Sequence, residues 1–166
     1  MTIKKLFGNQ IALGIVFMLF FNSAQAQHLQ PIDYVDNFIG VRSEKGNCVI
    51  GPQLPFGSIS PSPQTPNGRD DGYNPNEPIR GFGQIQESGT GWGTNGQIFL
   101  SPQIGLAIAE QSHDSPKSEE TAKPYEYRVR LDRYKIRVGL TPSYHSAIYQ
   151  FNFPKSVLGR KIRLLR

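Results

Sequence analysis

The sequence predicts an all-β fold, an antiparallel β-sandwich, and three features carry that expectation. Residues 125–153 place apolar side chains at every second position. Residues 27–102 are cut by prolines and glycines into runs too short for helices. No window of that region sustains a helical period.

Taken in order, the chain opens on a segment that is not expected to join the fold. Lys4 and Lys5 precede an apolar run over residues 11–21, and Asn22, Ser23, Ala24, Gln25 and Ala26 end in a small-x-small pattern. These are the parts of a cleavable export signal, residues 1–26, with cleavage after Ala26. The run is short of the ~20 apolar residues that span a bilayer, so no membrane attachment is expected once the signal is removed. Export to the periplasm or the medium follows. Cys48 is the only cysteine, so no intramolecular disulfide can form. About 140 residues remain, one domain's worth.

From residue 27 to 102, Pro31, Pro52, Pro55, Pro61, Pro63, Pro66, Pro75 and Pro78 exclude helices. The apolar runs Tyr34 with Val35, Phe38 with Ile39, and Ile98 with Phe99 and Leu100 suit short strands between long turns. Residues 104–109 alternate large and small side chains and read as a strand. Residues 110–123 are polar and read as an exposed loop. Then the pattern sharpens. Tyr125, Tyr127, Val129 and Leu131 share one face; Tyr134, Ile136, Val138 and Leu140 share the next; Ala147, Tyr149, Phe151 and Phe153 the third. Period two with short links predicts a three-stranded antiparallel meander, one face inward and one wet. Residues 155–166 form a basic tail.

The chain carries 18 Lys and Arg against 13 Asp and Glu, a net charge of +5. Lys4 and Lys5 lie in the signal, and Lys155, Arg160, Lys161, Arg163 and Arg166 in the tail, which leaves the intervening body slightly acidic. A nucleic-acid-binding domain carries its basic patch on its body, so no nucleic-acid partner is expected.

Residues 91–96 fit G-x-G-x-x-G, but a dinucleotide site needs a helix to follow, and here Gln97, Ile98, Phe99 and Leu100 read as a strand. His28, His113 and His145 have no metal-ligand spacing and read as surface residues; no metal site is expected in this chain. Asp70 and Asp71 before Gly72 suit a turn. The informative segment is the glycine-rich one. Gln86, Glu87, Ser88, Gly89, Thr90, Gly91 and Trp92 combine close backbone approach, hydrogen-bonding groups and one flat apolar face. That mixture suits a sugar, and it equally suits a structural loop whose Trp92 plugs the core.

Several blocks resemble glycoside hydrolase family 92. Tyr34, Val35, Asp36, Asn37, Phe38, Ile39 and Gly40 are similar to its opening YVDPFIG. Gly46, Asn47 and Cys48, then Gly51, Pro52, Gln53, Leu54, Pro55, Phe56 and Gly57, then Ser60 to Thr65, resemble its GNTFPGA, LPFG and SPDT blocks. Asp71 to Asn74, Ile79 to Phe82 and Ser88 to Gly91 resemble GY and GFSHTHLSGTG. Glu120, Tyr125 to Val129, Leu140 with Thr141, and Phe151 to Pro154 resemble the stretch that closes on F-FP. The likeness runs from residue 32 to 154.

The resemblance implies calcium-dependent, inverting exo-α-mannosidases acting on mannose-containing glycans. Such enzymes have an N-terminal supersandwich and a C-terminal (α/α)6 barrel that supplies the catalytic acid, base and calcium ligands. Residues 27–154 are then the N-terminal sandwich domain, incomplete at its C-terminal end. The chain would bind no cofactor itself, carry no catalytic residue and be inactive alone, its barrel missing. Where the family carries imidazoles in SHTHLSG, this chain has Gln84, Ile85, Gln86 and Glu87. A stand-alone sugar-binding module and a gene fragment without function are the alternative readings.

Overall fold

In a computed structural model of the chain, residues 29–41, 48–66, 72–85, 98–155 and 158–165 are described. The chain divides into two units, Met1–Tyr34 and Val35–Arg166. In the first, Pro31–Tyr34 form one 3-10 turn. Asp33 closes it by accepting the Gln30 N–H at 2.8 Å. The expected signal, residues 1–26, lies outside the described residues.

The second unit is built from strands β1 (Ser60–Gln64), β2 (Gly81–Ile85), β3 (Phe99–Ile104), β4 (Lys117–Lys123), β5 (Glu126–Leu131), β6 (Ile136–Pro142), β7 (Ala147–Asn152) and β8 (Arg160–Leu165). They form two antiparallel sheets, ordered β1-β2-β3-β8 and β4-β5-β6-β7. This is the predicted all-β sandwich. The meander is its clearest part. Tyr127 pairs with Leu140, Val129 with Val138 and Leu131 with Ile136, and all six are buried. The alternation that predicted them has a simple cause: consecutive side chains point to opposite faces, and only one face meets the other sheet. Phe82 of β2 is fully buried with them, beside Val41, Ile50, Tyr73 and Ile79. The Phe82 and Phe151 rings stand 6.2 Å apart, tilted by 47°.

Four expectations need correction. Residues 104–109 are not a strand; β3 ends at Ile104. Gly105 has φ +77°, outside the extended region, and Leu106 and Ile108 beyond it are exposed. Residues 110–123 are not one exposed loop, since a 3-10 turn at Glu110–His113 leads into β4. His113 is buried, not on the surface. Of the apolar runs, Tyr34 ends the 3-10 turn and Val35 lies outside any element, Phe38 with Ile39 lie in a turn, and only Phe99 with Leu100 belong to a strand. The basic tail also yields a strand, β8, which pairs with β3 from Phe99↔Leu165 to Ile104↔Arg160.

Close approach fixes one glycine in the family-like blocks. A Cβ at Gly51 would lie 2.2 Å from the Pro61 carbonyl oxygen of β1. No side chain fits there, so the block that starts at Gly51 is held against the first sheet. Its further end reaches the second sheet, where Gln53 N–H donates to Pro124 O at 3.0 Å and Ser58 N–H to Tyr144 O at 2.9 Å.

Candidate functional site

The expected sugar contacts, Gln86, Glu87, Ser88, Gly89, Thr90, Gly91 and Trp92, lie outside the described residues, as do Asp70, Asp71 and His28. What the structure describes is the frame that carries them. Strands β2 and β3 are neighbours, so residues 86–97 connect two paired strands. The ladder between them is short, with Phe82↔Leu100 and Gly83↔Phe99, extended by Gln84 N–H to Ile98 O at 3.1 Å. From the opposite sheet, Tyr149 of β7 donates its hydroxyl to Gly83 O at 3.2 Å. Burial pushes the Tyr149 phenol up to about 12, so it remains a donor throughout the working pH range. The base of the glycine-rich segment is therefore tied to both sheets.

A second polar group braces β3 behind that frame. Arg80 and Asp114 form a two-point ion pair, Nε to Oδ1 at 2.9 Å and Nη2 to Oδ2 at 3.1 Å. His113 Nδ1 lies 3.1 Å from Arg80 O and 3.1 Å from Ser101 Oγ. A carbonyl only accepts, so Nδ1 carries the proton and the ring is the neutral Nδ1–H tautomer. Its Nε2 is buried without a partner among the described residues. The His113 pKa is lowered, first by burial, against the Arg80 carbonyl and Asp114, which raise it, and with the charges of Arg163 and Arg80, which lower it.

A third group fixes the segment after Gly72. Tyr73 and Tyr127 both donate to Glu120 Oε1, at 2.7 Å and 2.5 Å. Burial raises the Tyr127 pKa well above its ordinary value, and the Glu120 charge raises it further. Lys117 Nζ sits 4.5 Å over the Tyr73 ring and donates to Glu77 O at 2.8 Å. Burial lowers its pKa, while Glu120 and Glu77 oppose that. Glu120 and Asp114 are thus held by structural partners. His145 is exposed, as expected, with Nδ1 3.1 Å from Ser58 Oγ. Among the described residues, no three His, Cys, Asp or Glu side chains gather to hold a metal ion.

Sequence reasoning placed Glu120 only through its block and missed the roles of His113, Ser101 and Tyr149. Their partners lie far along the chain, and no local spacing signals them.

The architecture defines the class first. This is a two-layer antiparallel β-sandwich domain whose β2–β3 connection is rich in glycine. The chain belongs to glycoside hydrolase family 92, matching the description "Glycosyl hydrolase family 92 N-terminal domain" over residues 34–162. Among solved structures it is similar to the family GH92 alpha-mannosidase BT3965 from Bacteroides thetaiotaomicron. That match has 31% identity and a TM-score of 0.69, and covers 80% of this chain and 20% of that one. BT3965 has also been solved with mannoimidazole. The family GH92 inverting mannosidase BT2199 from Bacteroides thetaiotaomicron VPI-5482 is 28% identical, with TM-score 0.64 over 76% of this chain and 18% of that one. The chain thus spans about a fifth of the length of the mannosidases it matches. Among curated proteins no match is found.

Proposed function

We propose that the chain is the pocket-shaping N-terminal part of an exported, calcium-dependent exo-α-mannosidase acting on mannose-containing glycans. Gln86, Glu87, Ser88, Gly89, Thr90, Gly91 and Trp92 make its sugar contacts, and the chain carries no catalytic residue of its own. The observation that supports this reading most is the two-sheet frame around the β2–β3 connection, in a chain that matches the family's N-terminal domain over residues 34–162. Two described carboxylates, Asp114 and Glu120, are committed to Arg80 and to two tyrosines. A glycosidase needs one free acid and one base flanking the bond. On this reading the calcium that the resemblance implies is held by the C-terminal barrel of the complete enzyme.

The test uses Trp92, the only tryptophan. Mannose titrated into the folded chain is expected to change Trp92 emission at roughly millimolar sugar, a weak affinity for a few hydroxyl contacts. The same preparation is expected to leave α-mannobiose intact with or without calcium, because on this reading the acid and base that transfer protons belong to the C-terminal barrel. Unchanged emission at saturating sugar would remove the sugar contacts, and turnover would remove the division of labour. The export signal is checked separately. Mass spectrometry of protein exported by a bacterial host is expected to give Gln27 as the first residue, and an exported species retaining Met1 would refute it.

A further inference from the structure

The body of the chain is slightly acidic on average, but the wet face of the second sheet is not. Period two puts Arg128 and Arg130 of β5 and Arg137 of β6 on that face, and Lys135 and Lys155 flank it at the same end. An irregularity in β4 lies within it. The β4–β5 register shifts between Ser118 and Thr121, and Glu119 in the shift has φ +51°. A side chain rarely adopts that conformation, and a bulge commonly re-aims one. Here it aims the Glu119 carboxylate at two arginines, Arg130 Nη1 at 3.1 Å and Arg137 Nε at 3.3 Å. Their hydrogen bonds and charges lower the Glu119 pKa, Arg137 first, so the carboxylate is ionised at neutral pH and holds both guanidiniums in place.

Beside this clamp the face is concave. An open depression of about 260 Å³ is lined by Glu119, Arg128, Arg137, Gly139, Gln150 and Asn152, among others. Gly139 leaves room in its lining, because a Cβ there would meet nothing nearer than Gln150 Oε1 at 3.8 Å. A second open depression of about 350 Å³ adjoins it, sharing Arg137 and Asn152, and is lined also by Arg130, Lys135 and Lys155. The first offers a carboxylate, amides and guanidiniums, the groups that hydrogen-bond hydroxyls. The second is lined by Arg130 and Arg137, both already paired with Glu119, and by Lys135 and Lys155. Together they fall within the size of small-ligand sites. No aromatic ring lines the first, which disfavours stacked bases of a nucleic acid.

We propose that this face is a saccharide site separate from the glycine-rich segment, taking a sugar residue that bears an anionic group. The hydroxyls lie over Gly139 against Glu119, Gln150 and Asn152. The anion lies against Arg137, Lys135 and Lys155. A carboxylate, sulfate or phosphate ester meets the same donors, with Arg137 offering the N–H groups that Glu119 leaves free.

The experiment is calorimetric titration of the full chain at low salt with oligomannuronate, mannose 6-phosphate, neutral mannotetraose, inorganic phosphate and single-stranded oligouridine. Gly139→Val and Arg137→Ala are titrated alongside, with circular dichroism to show that both fold. Gly139→Val adds a strand-favouring side chain into open space, so folding is expected to survive. The expected result is binding of at least one acidic sugar in preference to mannotetraose and phosphate, weakened about tenfold by either substitution. Which acidic sugar binds identifies the anion. The proposal is overturned if no acidic sugar binds at millimolar concentration, if mannotetraose binds equally well, or if oligouridine binds more tightly. It is also overturned if Gly139→Val leaves acidic-sugar binding unchanged, since charge alone would then account for it.

Discussion

His113 illustrates how a single residue can be misread from its neighbours in sequence. It stands among Gln111, Ser112 and Asp114, a polar run, yet it is buried with its Nδ1 on the Arg80 carbonyl. Protonation would place a second N–H on Nε2, which has no partner among the described residues. Burial therefore lowers its pKa below the ordinary value. The sign follows directly. The unfolded chain takes up a proton at this histidine near pH 6.5, and the folded chain only at lower pH. Between those values the unfolded state binds more protons, so stability rises with pH there. The contribution is fully present above about pH 6.5 and is lost as pH falls towards the folded value. Urea midpoints of the chain are expected to drop from pH 7.5 to pH 5.5, and those of His113→Phe to drop less. Equal slopes for the two proteins would show that His113 is not the group responsible.

Among the elements, those with one dry face and one wet face were legible. Strands β5, β6 and β7 emerge from the alternation of Tyr127, Val129, Leu131, Ile136, Val138, Leu140, Tyr149 and Phe151, because burial on one side imposes that period. Strand β4 was not legible. Its sequence is Lys117, Ser118, Glu119, Glu120, Thr121, Ala122 and Lys123, and its inward side offers only the small Ala122 and a half-buried carboxylate, Glu120, satisfied by Tyr73 and Tyr127. A polar residue bonded inside the fold leaves no hydrophobic trace. Strand β8 was hidden by its charge, since Ile162 and Leu164 are exposed and backbone pairing with β3 holds it. The candidate site divides in the same way. The expectation for residues 86–92 comes from their residue types alone, whereas the support of β2 by Tyr149 left no local sign, because the Tyr149 hydroxyl crosses 66 positions to reach Gly83. Tyr149→Phe keeps the ring beside the core and deletes that bond alone. It is expected to cost about 1 kcal/mol, the usual net value of one hydrogen bond, and to weaken any mannose-induced change in Trp92 emission. Urea unfolding and the same fluorescence titration measure the two effects. A full loss of stability with an unaltered titration would contradict the role assigned to Tyr149.

At the scale of the whole molecule, the question is how four sheet edges are kept from pairing with other chains. Three carry recognisable protection. Strand β1 has Pro61 and Pro63, which cannot donate to a ladder. Strand β8 has Arg160, Lys161 and Arg163. Strand β4 has Lys117, Lys123 and the bulge at Glu119. Charged residues, prolines and bulges are the usual defences of an edge. Strand β7 lacks all of them. Its residues are Ala147, Ile148, Tyr149, Gln150, Phe151 and Asn152, and among the described residues no strand pairs with its outer side. The basic tail covers β3, in the other sheet. Ile148 is 70% exposed on the wet face of β7, so a lysine there removes no core contact and adds the missing charge. The chain is therefore expected to associate as its concentration rises, and Ile148→Lys to remain monomeric. The variant's unfolding free energy should stay within about 0.5 kcal/mol of the parent, as for most surface changes. Sedimentation velocity over a concentration series, paired with urea unfolding, measures both. If the parent chain sediments as a monomer throughout, the β7 edge is protected by residues other than those described. If Ile148→Lys associates as strongly as the parent, pairing runs through a different edge.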